Sequence, residues 1–211
     1  MDNEYWDAVR TMRLAVADLL ETLDPGEWDA PSLCAGWRVR DVAGHLSIVS
    51  TITTWQLIAA APSGRFDPNR INTVIAVRNG VRRADDIVAS IRGHAADHTT
   101  ARMLDTRDSL FDVIVHSQDI ARPLGRDLSV PVEWTCRGLD RVWEMGWPFR
   151  ARRRLAGLTL GATDTAWTVG AGPEVSGDAL SMLLLLTGRR DAVAHTLQGA
   201  GVAQLTESGH S

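Results

Sequence analysis

Residues 108–122, DSLFDVIVHSQDIAR, constrain the fold more than any other segment. Leu110, Phe111, Val113, Ile114, Val115 and Ile120 lie on most sides of any helix formed there. Such a helix belongs in the middle of a bundle rather than on its surface. It ends at Pro123 and Gly125. Yet Asp112, His116 and Asp119 follow one another at spacings of four and three, which puts them on one helical face. A carboxylate and an imidazole turned into a bundle core are costly unless satisfied. They can pair with each other and with neighbours as a structural network, or they can ligate a metal between facing helices.

The D-V-x-x-H frame occurs earlier in GWRVRDVAGHL, where Asp41 precedes His45. Here the acid falls in a first helical turn and is expected to cap it. The two copies are therefore not equivalent. His45 alone would join Asp112 and His116, a set of two imidazoles and one carboxylate that suits a divalent metal with an open position.

Apolar residues at spacings of three and four predict helices over 3–23, 39–61, 68–79, 84–97, 108–122 and 131–145, with an interruption near Asn79–Gly80. The pattern then changes. RLAGLTLGATDTAWTVG alternates and contains turn residues, which predicts a hairpin, and PEVSG suits a third short strand. DALSMLLLLTGR and RDAVAHTLQG predict two closing helices, and TESGHS a frayed tail. The expected architecture is mainly α: a helical bundle over 1–149, followed by a small α+β unit over 150–211.

A net charge of −4 gives no electrostatic reason to expect nucleic acid. Nothing approaches a membrane-spanning apolar run or a signal peptide, and two cysteines make no disulfide framework. A cytoplasmic protein, monomeric or homodimeric, is expected. All 22 basic residues are Arg, a composition that points to a GC-rich genome such as an actinobacterial one.

Other residues compete for attention. His94 and His98 in GHAADH are four apart, but Ala95 stands where a metalloprotease helix has Glu. His195 reads as structural, and His210 lies in the tail. Cys34 as a nucleophile with His45 has nothing visible to activate it, and a structural cysteine is the simpler reading. RARRRL reads as a solvated strand edge or an anion contact. Arg189 and Arg190 in TGRR suit helix-end carbonyls, or a clamp on a substrate carboxylate.

PSLCAGWRVRDVAGHL, DVIVHSQDIARPLG and LLLLTGRR together resemble the mycothiol-dependent maleylpyruvate isomerase family of the DinB-like superfamily. The resemblance implies a DinB-like four-helix bundle with a C-terminal appendage. It implies a divalent metal, typically zinc, on His45, Asp112 and His116, and Arg189 as the residue engaging substrate or thiol. Asp112 stands where the family pattern has the longer Glu. Mycothiol would be the cosubstrate and a small electrophile the substrate, in an isomerase or an S-transferase. The competing expectations are a metal-dependent hydrolase acting through bound water, and a non-enzymatic ligand-binding bundle.

Overall fold

The structure, a computed structural model, describes residues 3–99 and 105–207, the last two as backbone only. The chain divides into two compact units, Met1–Ser129 and Val130–Ser211. No helix among the described residues is long and apolar enough to cross a membrane.

The first unit contains α1 (Asn3–Glu21), α2 (Pro25–Asp29), α3 (Val39–Leu46), α4 (Thr54–Ala60), α5 (Pro68–Gly80), α6 (Ala84–Gly93) and α7 (Ser109–Ala121). Short 3-10 turns flank α7 at Thr106–Asp108 and Arg122–Leu124. Four helices close a ring: α1 packs on α7, α7 on α3, α3 on α6, and α6 back on α1. α5 packs on α3 from outside that ring. The central position expected for 108–122 holds, since every residue of α7 except Asp112 is buried.

The α7 N-terminus is secured from α1. The Tyr5 hydroxyl donates to the Thr106 carbonyl at 2.9 Å and accepts the Leu110 N–H at 3.1 Å. One phenol thus satisfies a helix-end donor that Asp108 leaves uncapped. Burial raises its pKa to about 12, so it stays a neutral donor. Tyr5→Phe is expected to cost about 1–2 kcal/mol in urea unfolding, the size of a lost cap in a buried setting.

The helix expected over 39–61 is two helices. It stops at Leu46, and α4 begins only at Thr54. The intervening Ser and Thr hydroxyls take up backbone groups locally, as Ser47 Oγ does with the Gly44 carbonyl at 2.8 Å. Thr53 and Gln56 then cap each other reciprocally, which nucleates a new helix. The interruption expected near Asn79–Gly80 is present, because α5 ends at Gly80 and α6 begins only at Ala84. That glycine serves a crossing: a Cβ on Gly80 would sit 2.7 Å from Asp41 Oδ1 and 2.8 Å from the Arg40 carbonyl.

The second unit contains α8 (Val132–Glu144), α9 (Ala151–Arg154), β1 (Thr159–Ala162), β2 (Thr168–Gly170), β3 (Glu174–Gly177), α10 (Ala179–Leu186), α11 (Arg190–Val193) and α12 (Val202–Glu207). β1 is central, antiparallel to β2 and parallel to β3. The hairpin, the third strand and an apolar helix after it follow the sequence reading, although the last expected helix is only one turn, Arg190–Val193. The unit boundary falls earlier than 149. α8 buries Thr135, Gly138, Leu139 and Val142 and packs on α10, so it belongs to this unit. RARRRL forms α9 rather than a strand edge, and Arg154 Nη2 donates to the Leu185 and Leu186 carbonyls at 2.9 and 2.8 Å. It thereby satisfies the orphan carbonyls ending α10. Most of TESGHS, including His210, lies outside the described residues.

Candidate metal centre

The site lies within the first unit, where α3 and α7 meet. α3 is preceded by its N-cap Arg38, whose backbone N–H donates to Asp41 Oδ2 at 2.9 Å while its guanidinium Nε donates to the same oxygen at 3.1 Å. Asp41 is thus consumed in closing the first turn, as its place in the sequence implies. His45 stands one turn on, buried, next to Gly44. Gly44 has no side chain because the backbone of α5 runs there: a Cβ would lie 2.8 Å from the Ala76 carbonyl oxygen.

From α7, Asp112 and His116 meet His45. Asp112 Oδ2 is 3.4 Å from His45 Nε2, and Asp112 Oδ1 is 3.5 Å from His116 Nε2. The two imidazoles pack edge to face with centroids 4.8 Å apart. Ligating atoms of all three side chains lie within 4.8 Å of one another. The histidines are about nine-tenths buried, whereas the Asp112 side chain keeps 23% of its surface exposed, so the cluster opens on the carboxylate side.

Among the described residues, neither ring nitrogen of His45 has a hydrogen-bond partner, although both are buried. The approach to Asp112 is too long for a good hydrogen bond. His116 differs: its Nδ1 pairs with Asp119 Oδ2 at 2.8 Å, and the Asp119 side chain is wholly buried. That bond fixes the ring and leaves Nε2 facing Asp112. Asp119 therefore holds the histidine and is no surface charge. Burial alone would push the Asp112 carboxyl up, but the charges of His45, His116 and Arg13 outweigh it and hold the group near 2. A carboxylate with a depressed folded value stabilises the protein above its ordinary pKa of 3.8, and this contribution fades as pH falls toward 2.

Trp37 and Arg13 were not singled out in the sequence as parts of the site, and Cys34 was weighed only as a nucleophile with His45. Trp37 lies nearly parallel to the His116 ring, at 11° and 6.2 Å, and tilted to His45 at 5.9 Å. Arg13, buried in α1, donates to the carbonyls of His94, Ala95 and Asp97. Cys34 has its sulfur beside His116 and Asp119 rather than beside His45. Trp37 sits in the same CAGWRVRDVAGH string as His45, which is the one signal that could have flagged it. The alternative pair does not assemble: His94 bonds Asp97 at 2.8 Å, and His98 stacks on Trp6 at 4.4 Å. Arg189 lies in the second unit, where Nη1 donates to the Thr187 carbonyl at 2.7 Å.

A closed ring of helices with two histidines and a carboxylate converging from two of them defines a helical-bundle protein with a candidate metal centre. Residues 9–110 match the family model described as the mycothiol maleylpyruvate isomerase N-terminal domain. The match includes His45 and ends before Asp112. Among solved structures, the chain is similar to the mycothiol-dependent maleylpyruvate isomerase at 12% identity and a TM-score of 0.61. It is similar to a histidine-to-alanine mutant of that enzyme at 13% and 0.62. Each comparison covers 93% of this chain and 92% of the other, so the mainly helical fold is shared along almost the whole length. A comparison with curated proteins finds no match.

Proposed function

We propose that this protein is a mycothiol-dependent enzyme that uses a divalent metal, zinc by the chemistry of its donors, to activate the thiol for attack on a small electrophile. It is an isomerase if the thiol is eliminated again and an S-transferase if the thiol stays on the product. The supporting observation is the state of His45, a buried ring whose two nitrogens have no hydrogen-bond partner among the described residues and which faces a carboxylate at 3.4 Å. Ligands about 2.0–2.1 Å from a tetrahedral ion are about 3.4 Å from each other, close to the separations at Asp112. His45, Asp112 and His116 would hold the ion. The shorter Asp suffices, since it already reaches both imidazoles.

A bound ion would supply positive charge that lowers the pKa of a thiol drawn to it. The residues around it do the positioning. Asp119 holds His116 by Nδ1, so that Nε2 presents its lone pair. Trp37 covers the histidines and excludes water from that side. The exposed edge of Asp112 marks where a thiol or substrate approaches. Arg189 is assigned the binding of an anionic group on thiol or substrate, and Arg189→Ala should then raise KM more than it lowers kcat.

The direct test is turnover of an electrophile by purified protein with and without mycothiol, before and after chelation. Activity should require both the thiol and the restored metal. Thiol-independent turnover, or no binding of the thiol, would overturn the reading. Asp119→Ala should weaken metal binding about 10- to 100-fold in a competition titration, the usual cost of losing an outer partner of a ligand histidine.

A further inference from the structure

We propose that Cys34, His116 and Asp119 form a second metal site, selective for thiophilic ions, on the opposite edge of His116 from His45 and Asp112. The Cys34 sulfur, an Asp119 carboxylate oxygen and a ring nitrogen of His116 lie within 4.8 Å of one another. The His116 nitrogen facing Asp119 is Nδ1, and the one facing Asp112 is Nε2. One imidazole therefore looks into two ligand sets through its two nitrogens.

The loop carrying Cys34 is tied to α7. The Leu33 N–H donates to the Asp119 carbonyl at 3.1 Å, the Cys34 N–H to Ser32 Oγ at 3.1 Å, and the Trp37 N–H to the Cys34 carbonyl at 2.9 Å. The thiol is thus held against the C-terminal half of α7 and is half-buried rather than sealed. The donor sets differ in kind. The first contains nitrogen and oxygen only, whereas the second adds a sulfur, which favours zinc, cadmium or cobalt over magnesium or calcium. Without an ion, the second position is closed by the His116–Asp119 hydrogen bond. An ion entering there binds Nδ1 as the ring proton moves to Nε2, releases the thiol proton to solvent, and spreads a 2.8 Å contact toward the ligand spacing of about 3.4 Å. It removes the bond that orients His116, so filling the second site weakens the first.

The test is a titration of the full chain with cobalt(II), followed by cadmium. Only the second site can give thiolate-to-metal charge-transfer absorption in the near ultraviolet. The band should appear in the wild type, persist in Cys136→Ser and His45→Ala, and vanish in Cys34→Ser and Cys34→Ala. The Cys34 variants should still bind an ion without the band. A wild type that binds cobalt with no such band, or a band that survives loss of Cys34, overturns the second site and leaves the first untouched. A band that survives His45→Ala while the wild type takes up no other ion would instead remove the first.

Discussion

His45→Met is expected to stabilise the metal-free protein while abolishing its response to zinc. In the wild type the ring is about nine-tenths buried, with neither nitrogen hydrogen-bonded among the described residues. A buried polar group without a partner costs about 1–3 kcal/mol. Methionine fills similar space, adapts to irregular gaps and brings no strong donor or acceptor. His45 is one of the groups that hold the Asp112 carboxyl low, but His116 and Arg13 still face it and its exposed edge can hydrate, so the loss at Asp112 is expected to be smaller than the gain at the ring. The chelated variant should therefore unfold at higher urea, by about 1–2 kcal/mol. Zinc at a hundredfold excess over Kd should stabilise the wild type by about 2.7 kcal/mol and the variant hardly at all. A variant that retains the zinc effect would remove His45 from the ligand set. A chelated variant that is less stable would mean its nitrogens are satisfied in solution.

Gly44→Ala is expected to be the most damaging single-methyl change in the first unit. Where α3 crosses α5, a Cβ on Gly44 would press into the backbone N of Gly80 and lie 2.8 Å from both the Ala76 oxygen and the Asn79 carbonyl carbon. These are backbone atoms, which no rotamer change can move. Overpacking of this kind costs about 1–3 kcal/mol and more where relief needs a helix shift. That exceeds the roughly 1 kcal/mol that alanine gains over glycine in a helix. We expect a net loss of about 1–2 kcal/mol by urea denaturation. Because His45 is the next residue, metal affinity should fall too. A variant as stable as the wild type, with unchanged metal binding, would show that the helices do not cross backbone to backbone there.

The local signals in the chain carried far, and they stopped where distant segments compete. Spacing alone places Asp112, His116 and Asp119 on one face of a central helix, because helix geometry makes that a property of adjacent turns. The role of Asp41 was legible for the same reason. The break between Leu46 and Thr54 was not, because apolar periodicity continues across it while hydroxyl side chains bind the backbone. Gly80 reads as a stop, and α5 does end there, but it also marks a close approach that depends on Gly44, far away in sequence. RARRRL carried no trace of the α10 carbonyls that Arg154 completes.

By itself, then, the sequence determined which residues a helical bundle must bury, and that one apolar helix carries an acid and a histidine it has to satisfy. Only the tertiary structure decided that His45 arrives opposite Asp112 with its nitrogens unpartnered among the described residues and that α8 joins the second unit. It also set Trp37 over His116 and the Cys34 sulfur beside Asp119. The reason is range. Helical periodicity and capping act within a few residues, whereas these contacts join segments whose meeting depends on how whole helices pack.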